Sequence, residues 1–249
     1  GTFTEKAKEY GIDAADTYTI MANFFDYDKD GDLDLFLANH PTDWIEKMRF
    51  NNLEKIENHT NQSDRLYRND NGKFADVSKD AGINTHGYGL SCTVADFNGD
   101  SWPDLYVAND FAMHDYYFIN QGNGKFKEEA RSVLKKTSLF GMGADVGDIN
   151  NDGYPDIFVV DMKFDRSYVR RSFMLAQRRS EFNNMVSSGY HYQYVRNTLQ
   201  LNNGNGTFSE IACLAGVDAT EWSWAPLLVD LDNDGFQDLF VSNGYYKTF

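Results

Sequence analysis

Four nine-residue segments of this chain can be laid over one another without a gap: 26–34 (DYDKDGDLD), 96–104 (DFNGDSWPD), 148–156 (DINNDGYPD) and 230–238 (DLDNDGFQD). Each runs straight into an apolar stretch with strand character, LFLAN, LYVAN, IFVVD and LFVSN. Upstream of each stands a Gly-x-Phe signal, at Phe3, Phe74, Phe126 and Phe208, and the first Asp follows that Phe after 23, 22, 22 and 22 residues. Such regularity marks a repeat architecture, in which each unit buries its apolar face only against its neighbours.

The rest of the unit can be read in the same way. Asn71-Gly72, Asn123-Gly124 and Asn205-Gly206 lie between β-rich runs, and Asn-Gly supplies the two positive φ angles of a tight type I′ hairpin. Eight residues before each acidic segment comes an aromatic residue, Tyr18, Tyr88, Phe140 or Trp222, followed by a small and then a large apolar one. A unit therefore reads as strand, Asn-Gly turn, strand, connection, strand, acidic loop, strand. Four-stranded antiparallel units at this period predict an all-β propeller, with a β-sandwich as the alternative.

The units fall at about 1–39, 64–114, 115–164 and 196–249, and the extra length collects in insertions at about 40–63 and 165–195, at equivalent corners of the repeat. Gly1 aligns with Gly72, Gly124 and Gly206. The expectation is that the chain starts inside a hairpin turn and is a piece of a longer protein. Its four units would then be an arc of a larger propeller, since closed propellers have 4 to 8 blades.

Oxygen-bearing side chains recur at positions 1, 3, 5 and 9 of every acidic loop: Asp26, Asp28, Asp30 and Asp34; Asp96, Asn98, Asp100 and Asp104; Asp148, Asn150, Asp152 and Asp156; Asp230, Asp232, Asp234 and Asp238. So many carboxylates within nine residues repel one another unless a cation sits among them. Gly31, Gly153 and Gly235 at position 6 allow the sharp turn that aims the position 7 carbonyl, of Asp32, Trp102, Tyr154 or Phe236, at an ion. The second loop departs, with Gly99 at position 4 and Ser101 at position 6. An EF-hand would need Glu at position 12, where Leu37, Val107, Val159 and Val241 stand in strands instead. The donor set favours Ca²⁺, about four ions at one per loop, because hard flexible oxygens suit it better than Mg²⁺ and no His or Cys invites Zn²⁺. The alternative is a set of solvated acidic turns.

The pattern D-x-[DN]-x-[DN]-G-x-x-D followed by an apolar strand resembles the FG-GAP/VCBS repeat of integrin-α-like propellers. The stretch LYRNDNGKFADVSKDAGI is similar to the VCBS repeats of ASPIC/UnbV-type secreted proteins. The C-terminal part, with EWSWAPLLVDLDNDGFQDLFVSNGY, resembles surface or secreted VCBS proteins of Bacteroidota-type bacteria. The resemblance implies an extracytoplasmic, Ca²⁺-stabilised propeller of the kind found in adhesion or glycan-related systems.

The first insertion carries a capping-box pattern at Asp43 to Glu46, and Trp44, Ile45, Met48, Leu53 and Ile56 follow helical spacing. The second sets Arg166, Arg170, Arg171, Arg178 and Arg179 beside Phe173, Met174, Leu175, Phe182 and Met185. Such a basic amphipathic helix either clasps a partner or packs on its own rim. His40, His59, His86, His114 and His191 show no metal-ligand spacing, and Cys92 and Cys213 are expected to be separate buried thiols.

Of the 38 acidic residues 28 are Asp, and the 15 Asp in the four loops equal the whole net charge of −15. That charge disfavours phosphate backbones, so nucleic acid is excluded as a partner. No apolar run approaches the ~20 residues of a membrane span. No nucleophile elbow, P-loop or Cys-x-x-Cys is present. The expectation is a non-catalytic binding or scaffold module at a Gram-negative bacterial surface, in an outer-membrane or surface complex, presenting its insertions to a protein or glycan. Trp44, Trp102 and Tyr154 are candidates for stacking on sugars. The alternative is a carbohydrate-active enzyme, a polysaccharide lyase or hydrolase, built on a calcium propeller.

Overall fold

The computed structural model describes residues 1–41, 63–111, 113–164 and 179–244. The first antiparallel sheet is β1 (Thr19–Phe25), β2 (Asp34–Asn39), β3 (Arg65–Asn69) and β4 (Phe74–Asp76), in that spatial order. The second is β5 (Gly89–Ala95), β6 (Asp104–Asn109), β7 (Tyr116–Asn120) and β8 (Phe126–Glu128). A short parallel pair, β9 (Thr137–Ser138) with β12 (Gln193–Tyr194), flanks the third sheet of β10 (Gly143–Gly147), β11 (Asp156–Val160), β13 (Thr198–Asn202) and β14 (Phe208–Glu210). β15 (Ser223–Val229) and β16 (Asp238–Asn243) pair as a fourth sheet. Helices are minor: α1 (Ala7–Tyr10), α2 (Ala130–Val133), α3 (Arg179–Ser187) and α4 (Ala212–Ala215). The result is all-β: three antiparallel four-stranded sheets and a two-stranded fourth, of the kind that builds propellers.

The sheets are offset by half a unit from the sequence repeat. Each of the first three opens on the strand before an acidic loop and closes on the strand after a hairpin turn, so it takes two strands from one repeat and two from the next. The physical reason is that the segment between β4 and β5, like that between β8 and β10, passes from one sheet to its neighbour. Ala81 and Ile83 accordingly pack in the core shared by the first two sheets. Both insertions join the second and third strands of a sheet, which places them at equivalent corners.

Continuous apolar runs such as LYVAN mark strands covered on both faces. In β6, Leu105 and Val107 face the first sheet, while Tyr106 and Ala108 face the third. The leading strands β1, β5, β10 and β15 lie side by side. They are cross-linked by Asn23 Nδ2 donating to Cys92 O (2.7 Å), Ala144 N to Ser91 Oγ (3.2 Å) and Leu228 N to Asp145 Oδ2 (2.7 Å).

Only the first hairpin has the expected turn, with Asn71 at φ 56° and Gly72 at φ 85°. The other two are one residue longer. Their positive φ angles fall on Gly122 and Gly124 and on Gly204 and Gly206, and Gln121 N bonds Lys125 O where the shorter turn bonds Asp70 N to Lys73 O. Phe3, aligned with the strand residues Phe74, Phe126 and Phe208, is fully exposed and outside any strand.

Candidate metal centre

Every acidic loop is built on the same hydrogen-bond skeleton. The position 1 carboxylate accepts the N–H groups of positions 5 and 6: Asp26 from Asp30 and Gly31, Asp96 from Asp100 and Ser101, Asp148 from Asp152 and Gly153, Asp230 from Asp234 and Gly235. The position 5 carboxylate accepts the N–H of position 7: Asp30 from Asp32, Asp100 from Trp102, Asp152 from Tyr154, Asp234 from Phe236. Positions 4 and 6 are left-handed in all four loops, at Lys29 and Gly31, Gly99 and Ser101, Asn151 and Gly153, Asn233 and Gly235. The second loop therefore keeps the common geometry. Its glycine relieves position 4 instead of position 6, and Ser101 carries φ 72°.

Two loops bring three carboxylates together, with one oxygen each of Asp26, Asp28 and Asp34, and of Asp230, Asp232 and Asp238, within 4.8 Å of one another. In the second and third loops position 3 is an amide, and Asn98 and Asn150 donate to Asp100 Oδ2 and Asp152 Oδ2 at 2.9 Å. Asp28 Oδ1 is buried without a hydrogen-bond partner. Burial pushes the Asp28 carboxyl above its ordinary range, with Asp30 and Asp26 adding to the shift. Crowded oxygens, one of them orphaned, fit a hard cation such as Ca²⁺.

The position 9 aspartates do more than the repeat pattern suggested. Asp34, Asp104 and Asp156 are fully buried. Their Oδ2 atoms accept the position 2 N–H groups of Tyr27, Phe97 and Ile149 at 3.0 Å. Their Oδ1 atoms accept Asn69 N (2.8 Å), Asn120 N (2.8 Å) and Asn202 N (2.7 Å) from the strand that leads into the hairpin. Each carboxylate oxygen has a second lone pair, so these bonds leave room for an ion. Burial raises Asp34 to about 6 and Asp104 to about 7, against the lowering effect of those N–H donors. The asparagines reach further: Asn120 Nδ2 donates to Tyr27 O and Asn202 Nδ2 to Phe97 O, each at 2.8 Å and each across a sheet boundary.

Side chains at position 7 brace the loop against the hairpin of the same sheet. Asp32 Oδ2 accepts Asn71 N (2.9 Å), and the rings of Trp102 and Tyr154 lie against Gly122 and Gly204. A Cβ at Gly204 would come within 2.7 Å of the Tyr154 ring, which is why glycine stands there. Lys29 covers the Trp102 ring at 4.5 Å from its centroid. These half-buried rings act as bracing elements; Trp44 lies outside the described residues.

The buried acids away from the loops recur at fixed repeat positions, Asp64 and Asp115 aligned with Asn197 and Asp161 aligned with Asn39 and Asn109, a signal that sequence reasoning missed because it followed only the acidic loops. Asp64 Oδ1 accepts Asn39 N (2.8 Å), and Asp115 accepts Asn109 N (2.9 Å) and the Tyr106 hydroxyl (2.5 Å). In the third sheet the chemistry is exchanged, with Asp161 N donating to Asn197 Oδ1 (2.7 Å). These residues close the corner between the second and third strands. Burial raises Asp64 and Asp161 to about 6 and Asp115 to about 7.

His114 and His191 pack ring to ring at 5.8 Å, and His191 Nε2 lies 3.0 Å from Leu134 O. Both ring nitrogens of His114 are buried without a partner. Burial, with Arg131 and His191 nearby, lowers His114 to about 3. Its folded value thus lies below the unfolded ~6.5, so its neutral form contributes stability above pH ~6.5 that is lost as the pH falls toward the folded value. His114→Phe is expected to flatten that acid limb, with the difference from wild type growing by up to about 1.4 kcal/mol per pH unit below 6. Urea melts between pH 7 and 4.5 check this, and parallel curves would refute it.

Of the second insertion, α3 is described. Met185 is buried against Leu139 and Tyr190, and Phe182 packs on Tyr192 and Tyr194, so this part lies on its own body. The first insertion's helical pattern and Arg166 to Arg178 lie outside the described residues. Cys92 is buried as expected, whereas Cys213 is exposed and accepts Arg196 Nη1 at 2.7 Å. The exposure follows from its place on α4, where Ala212 takes the buried position.

A family model described as an FG-GAP-like repeat matches residues 56–107, 96–159 and 185–241. Integrin alpha-7 of Homo sapiens is 38% identical over 86 residues, which is 30% of this chain and 7% of that protein. Integrin alpha-6 of Gallus gallus is 39% identical over 83 residues, 29% of this chain and 8% of that protein. The chain thus spans less than a tenth of the length of these relatives. Among solved structures, an Agrocybe aegerita lectin described as recognising non-reducing terminal N-acetylglucosamine aligns over 88% of this chain and 45% of its own. The TM-score is 0.44 and the identity 18%.

Proposed function

The chain belongs to the FG-GAP-like repeat family, and from that premise we propose that it is a non-catalytic binding module. Ca²⁺ holds it rigid, and it is displayed outside the cytoplasm on a bacterial surface or in an outer-membrane complex. The observation that carries the reading is the hydrogen-bond skeleton shared by the four loops, together with the gathering of one oxygen each from positions 1, 3 and 9 in the first and fourth. Bound there, about four Ca²⁺ ions would neutralise the acidic excess and lock each loop to its hairpin. The repeated residues are thereby absorbed by turns, packing and ion binding, which leaves recognition to the insertions, where length varies freely. A protein or a glycan is the expected ligand. No helix among the described residues is long and apolar enough to cross a membrane.

The test deletes residues 166–178 and leaves α3 in place, because Met185 anchors it to the core. Wild type and the deletion variant are applied to glycan and extracellular-protein arrays with calcium present. Binding by wild type that the folded deletion variant loses supports the reading. Equal binding by both, or polysaccharide turnover by wild type, overturns it.

A further inference from the structure

We propose that the junction between the first two sheets is a binding cleft for a hexuronate unit of an acidic polysaccharide, distinct from the recognition surface of the insertions. The observation is a break in how the junctions are filled. Between the second and third sheets the Tyr117 ring lies 5.4 Å from Phe97 and 5.5 Å from Phe208, and Ile119 joins the same core at 8% exposure. The first sheet carries Leu66 and Arg68 at those two repeat positions, three residues and one residue before Asn69. Arg68 keeps 41% of its side chain exposed. A shorter apolar group and a cation that stays in water leave this junction unfilled.

The opening is a cleft of about 490 Å³ between the first acidic loop and the hairpin that joins β7 to β8, within the range of sites that hold small molecules. Its floor is apolar, made by Tyr27, Val77 and Ala81 of the shared core. At its mouth stand Arg68, Lys125 and Asp80. Arg68 donates Nε and Nη2 to Asp70 at 3.0 and 2.9 Å, which leaves Nη1 free for a ligand. Lys125 and Asp80 are exposed, and their charged groups form no ion pair among the described residues. The cleft lies at the acidic-loop ends of the strands and both insertions at the other ends, so the two surfaces are independent.

These groups define the ligand by what they lack. Arg and Lys side chains only donate hydrogen bonds, and an ionised Asp only accepts them. The ligand must therefore bring an anionic acceptor and hydroxyl donors together, on a body with an apolar face to lie on the floor. A hexuronate has all three: its carboxylate meets Arg68 Nη1 and the Lys125 ammonium in charge-assisted bonds, its hydroxyls donate to Asp80, and the C–H face of its ring covers Tyr27 and Val77. A neutral sugar leaves both cations without an anion, and an acidic amino acid brings no hydroxyl to Asp80.

Isothermal titration of the chain with galacturonate, at constant free calcium, tests this. Galacturonate is expected to bind, with galactose and glutamate each weaker by about tenfold or more. Arg68→Ile and Lys125→Thr install the residues found at the same repeat positions in later units, Ile119 and Thr207. Each is expected to weaken galacturonate binding about tenfold while the circular dichroism stays that of wild type. Should one of them fail to fold, the other carries the test. The variant lacking residues 166–178 is expected to bind galacturonate as wild type does. Absence of binding by wild type, equal binding of galactose or glutamate, folded cleft variants that bind undiminished, or loss of binding on that deletion overturns the proposal.

Discussion

Chelation of divalent ions is expected to lower the melting temperature of this chain by roughly 20–40 °C. An ion that binds only the folded state stabilises it by about 2.7 kcal/mol at a hundredfold excess over its Kd, so four such sites sum to about 11 kcal/mol. That is comparable to the whole stability of a typical domain, about 5–15 kcal/mol, and for a chain of this size each kcal/mol moves the melting temperature by about 2–4 °C. The loss is compounded locally, because the first loop alone holds Asp26, Asp28, Asp30, Asp32 and Asp34. Calorimetry with a calcium chelator, followed by return of excess Ca²⁺, gives the measurement. A melting temperature insensitive to both additions would refute calcium binding.

Phe158→Ala should cost about 3–5 kcal/mol, the range for a fully buried aromatic truncated to alanine. The ring lies in the core shared by the third and fourth sheets, among Leu199, Val160, Leu228 and Leu239, and has no solvent into which it can relax. Phe240→Ala, at the same repeat position, removes a ring that is already 56% exposed. It should cost well under half as much, because little of that ring's surface is removed from water in this chain. Urea unfolding of both variants separates the two cases, and equal costs would contradict the burial difference.

Most of the fold was legible because three signals recur in register. The acidic loops, the apolar runs after them and the Gly-x-Phe hairpins place the strands within a residue or two. The grouping of strands into sheets was not legible, since period alone does not say where a repeat begins. Only the passage of Ala81 and Ile83 between two sheets settles it. Turn type was misread in two hairpins because one added residue moved the left-handed positions onto Gly122 and Gly204. In the loops, the pattern of oxygens pointed to an ion. The buried position 9 carboxylates looked like the rest, although the backbone N–H groups they accept make them structural as well. Asp64, Asp115 and Asn197 recur five residues before Asn69, Asn120 and Asn202, yet the role of Asp64 and Asp115 is not legible until the strands bring Asn39 and Asn109 to them.

The asparagine contacts run as a relay. Tyr27 O accepts from Asn120, whose N–H is held by Asp104; Asp104 also holds Phe97, whose carbonyl accepts from Asn202, whose N–H is held by Asp156. Filling one loop therefore organises the acceptor that its neighbour's asparagine needs, and the neighbour's loop gains the same benefit in return, since coupling between binding sites is reciprocal. The ions should consequently bind with positive cooperativity, centred on the second loop, which the relay links on both sides. Under a pulling force the same relay acts as a zipper: sheets peel from an end inward, and each rupture surrenders its ion and weakens the hold on the next.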